Sequence, residues 1–326
     1  MVNQLQTETR RRFRWLRVPT PTCDPVSRRH SRARSAYCRA VVGSQVSPHR
    51  ARRTAVAVPG GRLAALELQP DSAPSAVALL VPGYTGSKED FAPVLDPLAA
   101  AGLQVVAIDL PGQHESRGPD SERDYLPDAL GATVAALVSE LATQHGRVLL
   151  LGHSYGGLVS RAAVLRGAPV CGLTLLDSGP AALPAGERRA MLDLAEPVLR
   201  THGIEAVQQL REARDGIADS PALADLLRAR FLGSAPAGLL GMATALRDEP
   251  DRVDDLAAAL RSSGTPALVV CGAGDDAWPV TVQQEMARRL GAEFALVPDA
   301  THTPNLENPD GLLDALLPAW RRWLAC

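Results

Sequence analysis

The sequence predicts an α/β fold: a mostly parallel eight-stranded sheet with helices on both faces and a helical insertion in the second half of the chain. Three observations predict it. From Thr54 onward, short apolar runs alternate with longer amphipathic stretches, the pattern of βαβ units around a parallel sheet. This alternation stops at Gly179 and resumes at Thr265, with only helix-like segments between. The composition is globular: of 326 residues, 46% are hydrophobic and 21% charged, and no apolar run reaches the roughly 18 residues of a membrane helix.

Residues 1–53 are rich in Arg, Ser and Pro and lack a hydrophobic period. They offer too little apolar surface to offset chain entropy and are expected to be disordered. Thirteen arginines there face only Glu8 and Asp24, so behind the net charge of −2 lies a basic extension and an acidic body. No apolar segment follows Arg10-Arg11-Arg12, which argues against an export signal. A transit peptide fits the composition better, but a plain tail is the reading adopted, with a cytoplasmic location.

Strands are expected over 54–58, 62–69, 76–81, 104–108, 147–151, 172–176, 267–271 and 293–297. The last six read as buried on both faces, because they are nearly continuous apolar runs. Helices are expected over 89–101, 126–144, 155–166, 282–290 and 309–324, with Pro309 at a helix start where its missing N–H is not needed. The insertion, 179–264, reads as several short helices broken at Pro184, Pro197, Pro221, Pro236 and Pro250. It divides a core of 54–178 and 265–326, and its place after one strand and before the next puts it at an end of the sheet, as a lid.

Cys23, Cys38, Cys171, Cys271 and Cys326 are scattered and form no metal-spaced cluster, so they read as free thiols, with Cys171 and Cys271 in the core. No metal is expected. Lys88 is the only lysine.

The strongest chemical signal is Gly152-His153-Ser154-Tyr155-Gly156-Gly157, between an apolar strand and a helix. A Gly-x-Ser-x-Gly turn in this context holds the serine in a strained conformation that presents its hydroxyl, and larger neighbours would collide. The helix that follows brings its positive end to the hydroxyl.

On these residues the chain resembles an α/β-hydrolase, over 54–326 apart from the insertion, and four more segments carry the resemblance. Val81-Pro82-Gly83-Tyr84-Thr85-Gly86-Ser87 is similar to the family's first oxyanion turn. Asp109-Leu110-Pro111-Gly112-Gln113-His114-Glu115-Ser116 is similar to its Asp-x-Pro-Gly-x-Gly-x-Ser turn, with His114 and Glu115 where a further Gly is common. The stretch from Cys271 to Pro279 is similar to the acid loop, and that from Ala300 to Pro309 to the histidine loop. Pro82 departs from the His that commonly precedes the first turn's Gly.

The resemblance implies a Ser-His-Asp triad of Ser154, His302 and Asp275, in the family's chain order. Asp275 stands three residues after Gly272 and four before Pro279. Asp177 and the adjacent Asp276 are the alternative acids. The backbone N–H groups of Tyr84 and Tyr155 would form the oxyanion hole, leaving both side chains free to line a pocket. His153, Trp278 and His114 are candidate substrate-binding residues, and Trp278, Phe231, Leu239, Leu240 and Met242 a candidate apolar wall.

The activity implied is hydrolysis of a small carboxylic ester or related acyl compound through an acyl-enzyme on Ser154. An acyltransferase with the same triad and a non-catalytic binding protein on this fold are the alternatives. No cofactor is expected, because there is no dinucleotide fingerprint or P-loop, and no specific nucleic-acid partner or membrane span is expected.

Overall fold

The computed structural model describes residues 43–218 and 220–325. Most of the extension expected to be disordered, 1–42, lies outside them, as do Cys23, Cys38 and Cys326. Residues 43–53 correct that expectation. The Gly43 N–H bonds the Leu306 carbonyl at 3.0 Å, the Arg50 N–H bonds Asp96, and Arg52 already begins the first strand. Main-chain hydrogen bonds and pairing with β2 hold this stretch, and its arginines also pair with acids of the body.

Eight strands form one sheet: β1 (Arg52–Val58), β2 (Gly61–Leu68), β3 (Ala76–Val81), β4 (Leu103–Ile108), β5 (Val148–His153), β6 (Gly172–Leu176), β7 (Ala267–Gly272) and β8 (Glu293–Val297). Their order is β1-β2-β4-β3-β5-β6-β7-β8. The β1–β2 and β2–β4 pairs are antiparallel and the others parallel, with Leu80 opposite Leu151 and Gly152 opposite Leu175 in the central strands.

The helices are α1 (Ala92–Ala100), α2 (Pro127–His145), α3 (Tyr155–Leu165), α4 (Glu187–Asp215), α5 (Pro221–Leu232), α6 (Pro236–Asp248), α7 (Val253–Ser263), α8 (Val280–Leu290), the single turn α9 (Pro304–Glu307) and α10 (Pro309–Ala325). Strand residues alternate between two cores, as a period of two requires. Val77, Leu79, Val148 and Leu150 pack with α2, α3, α7 and α8, while Ala78, Leu80, Leu149 and Leu151 pack with α1 and α10. A sheet covered on both faces explains why these strands read as unbroken apolar runs.

Two expectations need correction. Strand β8 is an edge strand, with Glu293 exposed and Leu296 48% exposed, so it is not buried on both faces. The insertion is also shorter than 179–264, because Val253, Leu256, Ala257 and Leu260 of α7 belong to the core beside α3 and α8. Within α4, Pro197 does not end the helix. The break falls at Gly203, whose φ of 80° only glycine adopts without cost.

The segment carrying α4, α5 and α6 meets loops that leave the C-terminal ends of the strands. Arg230 bonds Asp90 after β3, the Ala235 N–H bonds the Gly112 carbonyl after β4, and Arg188 bonds Asp276 after β7. Among the described residues, no helix is long and apolar enough to cross a membrane.

Candidate active site

The turn that carries Ser154, the candidate nucleophile, lies between β5 and α3, at the centre of the sheet. Ser154 has φ 54° and ψ −120°, a conformation that costs a non-glycine residue roughly 1–3 kcal/mol. The surrounding glycines are required by close packing. A Cβ on Gly152 would lie 2.3 Å from the Gly156 carbonyl oxygen, and one on Gly156 would lie 2.4 Å from the Val81 carbonyl oxygen. The turn is held by the Ser154 N–H to Leu176 carbonyl bond at 2.8 Å and the Gly157 N–H to Ser154 carbonyl bond at 2.9 Å. The Tyr155 N–H opens α3, where the first amides have no carbonyl of their own helix to meet.

Ser154 Oγ lies 2.9 Å from His302 Nε2, and His302 Nδ1 lies 2.8 Å from Asp275 Oδ1. All three side chains are buried. Of the three candidate acids, Asp275 is thus the one bonded to His302. Asp276 points outward to Arg188 at 2.6 Å.

The two loops that carry the acid and the histidine are stitched by main chain. The Ala273 and Gly274 N–H groups bond the Val297 and Ala300 carbonyls, both at 2.9 Å. A Cβ on Gly272 would sit 1.9 Å from the Thr301 carbonyl oxygen, so only glycine permits this approach. Glu307, from α9, then accepts the Thr301 N–H and hydroxyl. The histidine loop therefore has little freedom to move its ring.

Asp275 accepts two further hydrogen bonds that favour its charge. The Ala277 N–H bonds Oδ1 at 2.8 Å, and Gln283 Nε2 bonds Oδ2 at 2.6 Å. Burial alone would raise its pKa, but these donors and His302 hold it below the usual carboxylate value. Gln283 escaped the sequence reading, although a signal existed. It shares the buried face of α8 with Met286, Ala287 and Leu290 at helical spacing, and a polar residue on such a face needs a partner.

Asp177 was the alternative acid, and the structure places it behind the chosen one. It is fully buried, has φ 45°, and accepts the Gly272 N–H at 2.9 Å. Single ligating atoms of Asp177, Asp275 and His302 all lie within 4.8 Å of one another. Two buried carboxyls so close do not both ionise. Burial first, and the Asp275 charge second, raise the Asp177 carboxyl well above the carboxylate range. Asp177 is accordingly the neutral member of the pair.

Of the three candidate substrate residues, His153 and Trp278 are packed into the interior. His153 is buried, and its Nε2–H donates to the His302 carbonyl at 2.7 Å, so it supports the histidine loop from behind. Burial, and then the neighbouring His302, push its pKa down to about 4. Trp278 is 1% exposed and donates to the Ala181 and Ala182 carbonyls, fastening the start of the insertion beside His302. His114 lies by Glu115, and its backbone, with φ 42°, adopts the left-handed form that the family's glycine would take.

The turn after β3 lies directly against Ser154. A Cβ on Gly83 would be 2.9 Å from Ser154 Cβ, and the turn is closed by the Gly86 N–H to Gly83 carbonyl bond at 3.1 Å. Gln113 joins it to the next turn by donating to the Gly83 carbonyl at 2.7 Å. The Tyr84 N–H is therefore one residue from the wall that Gly83 makes with Ser154. The Tyr155 side chain is not free to line a pocket, since it is buried with its hydroxyl on the Tyr125 carbonyl at 2.6 Å. Tyr84 packs its ring on a cluster of Leu199, Ile204, Val207, Phe231, Leu239 and Leu240 from the insertion. Of the five residues expected to form an apolar wall, Phe231, Leu239 and Leu240 belong to that cluster, while Met242 and Trp278 belong to the main core.

One other group of acids and a histidine, Glu89, His114 and Glu115, has metal-like spacing. A side-chain ammonium already serves it. Lys88 Nζ lies 3.1 Å from Glu89, 2.8 Å from Asp109 and 2.8 Å from Glu115, and Arg53 adds a second cation. This is an ion-pair network that ties β1 and the turns after β3 and β4 together.

A model of the Alpha/beta hydrolase family matches residues 78–315. Solved structures share the fold at low identity. A thermophilic esterase from Thermogutta terrifontis is 23% identical with a TM-score of 0.63, over 84% of this chain and 98% of its own. One from work on carboxylesterases of the thaumarchaeon Nitrososphaera gargenis is 20% identical with a TM-score of 0.65, over 83% and 99%. An enol-lactonase from Burkholderia xenovorans is 21% identical with a TM-score of 0.63, over 84% and 100%. No curated protein matches the chain in sequence.

Proposed function

Because the chain belongs to the alpha/beta hydrolase family, we propose that it is a serine hydrolase that cleaves a carboxylic ester or related acyl compound through an acyl-enzyme on Ser154. The observation that carries this reading is the unbroken hydrogen-bonded line from Ser154 through His302 to Asp275. A neutral hydroxyl is a weak nucleophile, and a base within bonding reach removes that weakness.

As Ser154 Oγ attacks the acyl carbon, its proton passes to His302 Nε2, and Asp275 stabilises the imidazolium through Nδ1–H. The tetrahedral oxyanion is held by the Tyr84 and Tyr155 N–H groups, each such donor being worth about 2.7–4 kcal/mol in the transition state. His302 then gives the proton to the departing alcohol oxygen as the carbon–oxygen bond breaks. Water repeats the sequence on the acyl-enzyme, losing its proton to His302 and releasing the acid while Ser154 recovers its hydrogen. The neighbours named an esterase and an enol-lactonase favour acyl–oxygen bonds as the target. The helices α4 to α6 act as the lid, excluding water from the acyl group.

The test is labelling with a fluorophosphonate probe, peptide mapping of the adduct, and turnover of p-nitrophenyl esters of graded chain length. We expect the adduct on Ser154, and Ser154→Ala to lose both labelling and turnover. A well-folded protein that takes no label and turns over no ester would refute the activated serine.

A further inference from the structure

The arginines of the insertion are nearly all paired. Arg188, Arg200, Arg214, Arg228, Arg230 and Arg247 each bond a carboxylate. Arg211 of α4 differs. Among the described residues it makes no hydrogen bond or ion pair, and its guanidinium carbon stands 4.1 Å over the centre of the Phe231 ring. The site is unfavourable for a cation, because burial first, and the nearby Arg230 second, lower its pKa. Asp215, one turn further along α4, offsets this in part, but it bonds Arg214, so the half-buried Arg211 fork keeps its donors available to an anion.

Tyr84 makes no side-chain hydrogen bond among the described residues. Burial pushes its phenol up to about 12, so it is a neutral O–H donor at ordinary pH. The ring rests on the same apolar cluster that contains Phe231, beneath Arg211. Along the backbone, Tyr84 follows Gly83, which touches Ser154. One residue therefore connects the acyl-attack point, through its N–H, to an apolar patch and a cation, through its side chain.

We propose that Arg211 and the Tyr84 hydroxyl form a carboxylate subsite, so that the preferred substrate is the ester of a dicarboxylic acid with a short apolar chain between the free carboxylate and the acyl carbon. The substrate part of this inference rests on the serine-hydrolase reading above, whereas the carboxylate site does not. A planar guanidinium fork matches a carboxylate in two parallel hydrogen bonds, and the phenol supplies a third donor. Leu199, Phe231 and Leu239 would bury the chain between the two ends, and the negative charge would cancel that of Arg211. A neutral ester fills the apolar patch but leaves the cation unpaired.

Two measurements test it. Calorimetric titration of glutarate or adipate into the intact protein reads the site without any turnover. We expect one binding site in the parent protein, weakened at least tenfold in Arg211→Met and partly kept in Arg211→Lys. The second is the ratio of kcat/KM for p-nitrophenyl half-esters of these acids to that for neutral p-nitrophenyl esters of equal length. It should exceed ten in the parent and fall at least tenfold in Arg211→Met, mainly through KM. Should Arg211→Met fail to fold, Tyr84→Phe, which removes only the hydroxyl, should still weaken dicarboxylate binding severalfold. Absence of dicarboxylate binding to the parent protein, or equal binding by all folded variants, overturns the subsite. A protein that binds dicarboxylate through Arg211 yet takes no label on Ser154 keeps the subsite and loses the hydrolase reading.

Discussion

Asp177 and Asp275 show how single residues set the electrostatics of this site. Both are buried beside His302, and the donors from Ala277 and Gln283 go to Asp275. Charge therefore settles on Asp275, and Asp177 keeps its proton. Asp177 holds that proton more tightly folded than unfolded, so above the ordinary carboxyl value of 3.8 the folded chain carries more protons than the unfolded one. Stability then falls as pH rises, until the folded pKa is passed. Asparagine keeps a donor toward Asp275 and an acceptor for the Gly272 N–H, with no proton to lose. We expect Asp177→Asn to be more stable than the parent at neutral and mildly alkaline pH, with a flatter urea midpoint against pH. Parallel curves for the two proteins would mean that Asp177 is ionised in the fold. Lys88 is a second case at this scale. Its burden of three carboxylates suits a compact ammonium, which explains one lysine in a chain that otherwise uses arginine.

At the scale of elements, the site is built where main chains approach more closely than any side chain allows. Strand β5 enters the elbow at Gly152, helix α3 leaves it past Gly156, and β7 ends at Gly272 against the histidine loop. In Gly156→Ala the added methyl would meet the Val81 and Pro82 carbonyl oxygens at 2.4 and 2.5 Å. Backbone, unlike a flexible side chain, cannot swing aside, so the turn after β3 must move away from Ser154. We expect a loss of about 1–3 kcal/mol in unfolding free energy. Labelling of Ser154 should fall more steeply than stability does, because the Tyr84 N–H moves with that turn. Labelling at the parent rate would mean that the elbow and the oxyanion turn are not coupled.

For the whole molecule, the question is what keeps the insertion on the body. Exposed pairs such as Arg188 with Asp276 contribute little and are screened by salt. Arg230 with Asp90 differs, since both side chains are about 10% exposed or less and the bond is 2.5 Å. Asp90 also takes the Ser87 N–H, and its carbonyl takes the Asn305 amide, so it joins the insertion to the loops of the site. Removing one partner of such a pair costs about 3–5 kcal/mol. We expect Arg230→Ala to speed hydrogen exchange in α4 and α5 and to raise KM, while β3, β5 and β6 keep their protection. Uniformly faster exchange would instead mean that the insertion and body unfold as one unit.

Much of this was legible in the sequence, because it rests on local rules. Unbroken apolar runs marked six strands as buried on both faces; five of them are, while the edge strand β8 lies at the expected residues but is only partly buried. The glycines beside Ser154, and the spacing of Gly272, Asp275 and Pro279, marked the loops that meet at the triad, since close approach forces the residue type. Other features depend on which distant residues share a volume, and no local pattern encodes that. His153 and Trp278 read as pocket residues, yet packing placed them behind the histidine loop and under the insertion. The retained proton of Asp177 needs Asp275 beside it, and only the fold reveals that Arg211 stands over Phe231 and makes no ion pair among the described residues. Sequence determined the strands, the turns and the residues brought to one end of the sheet. Tertiary structure decided their charges and partners, because burial and proximity act through space and the chain order does not.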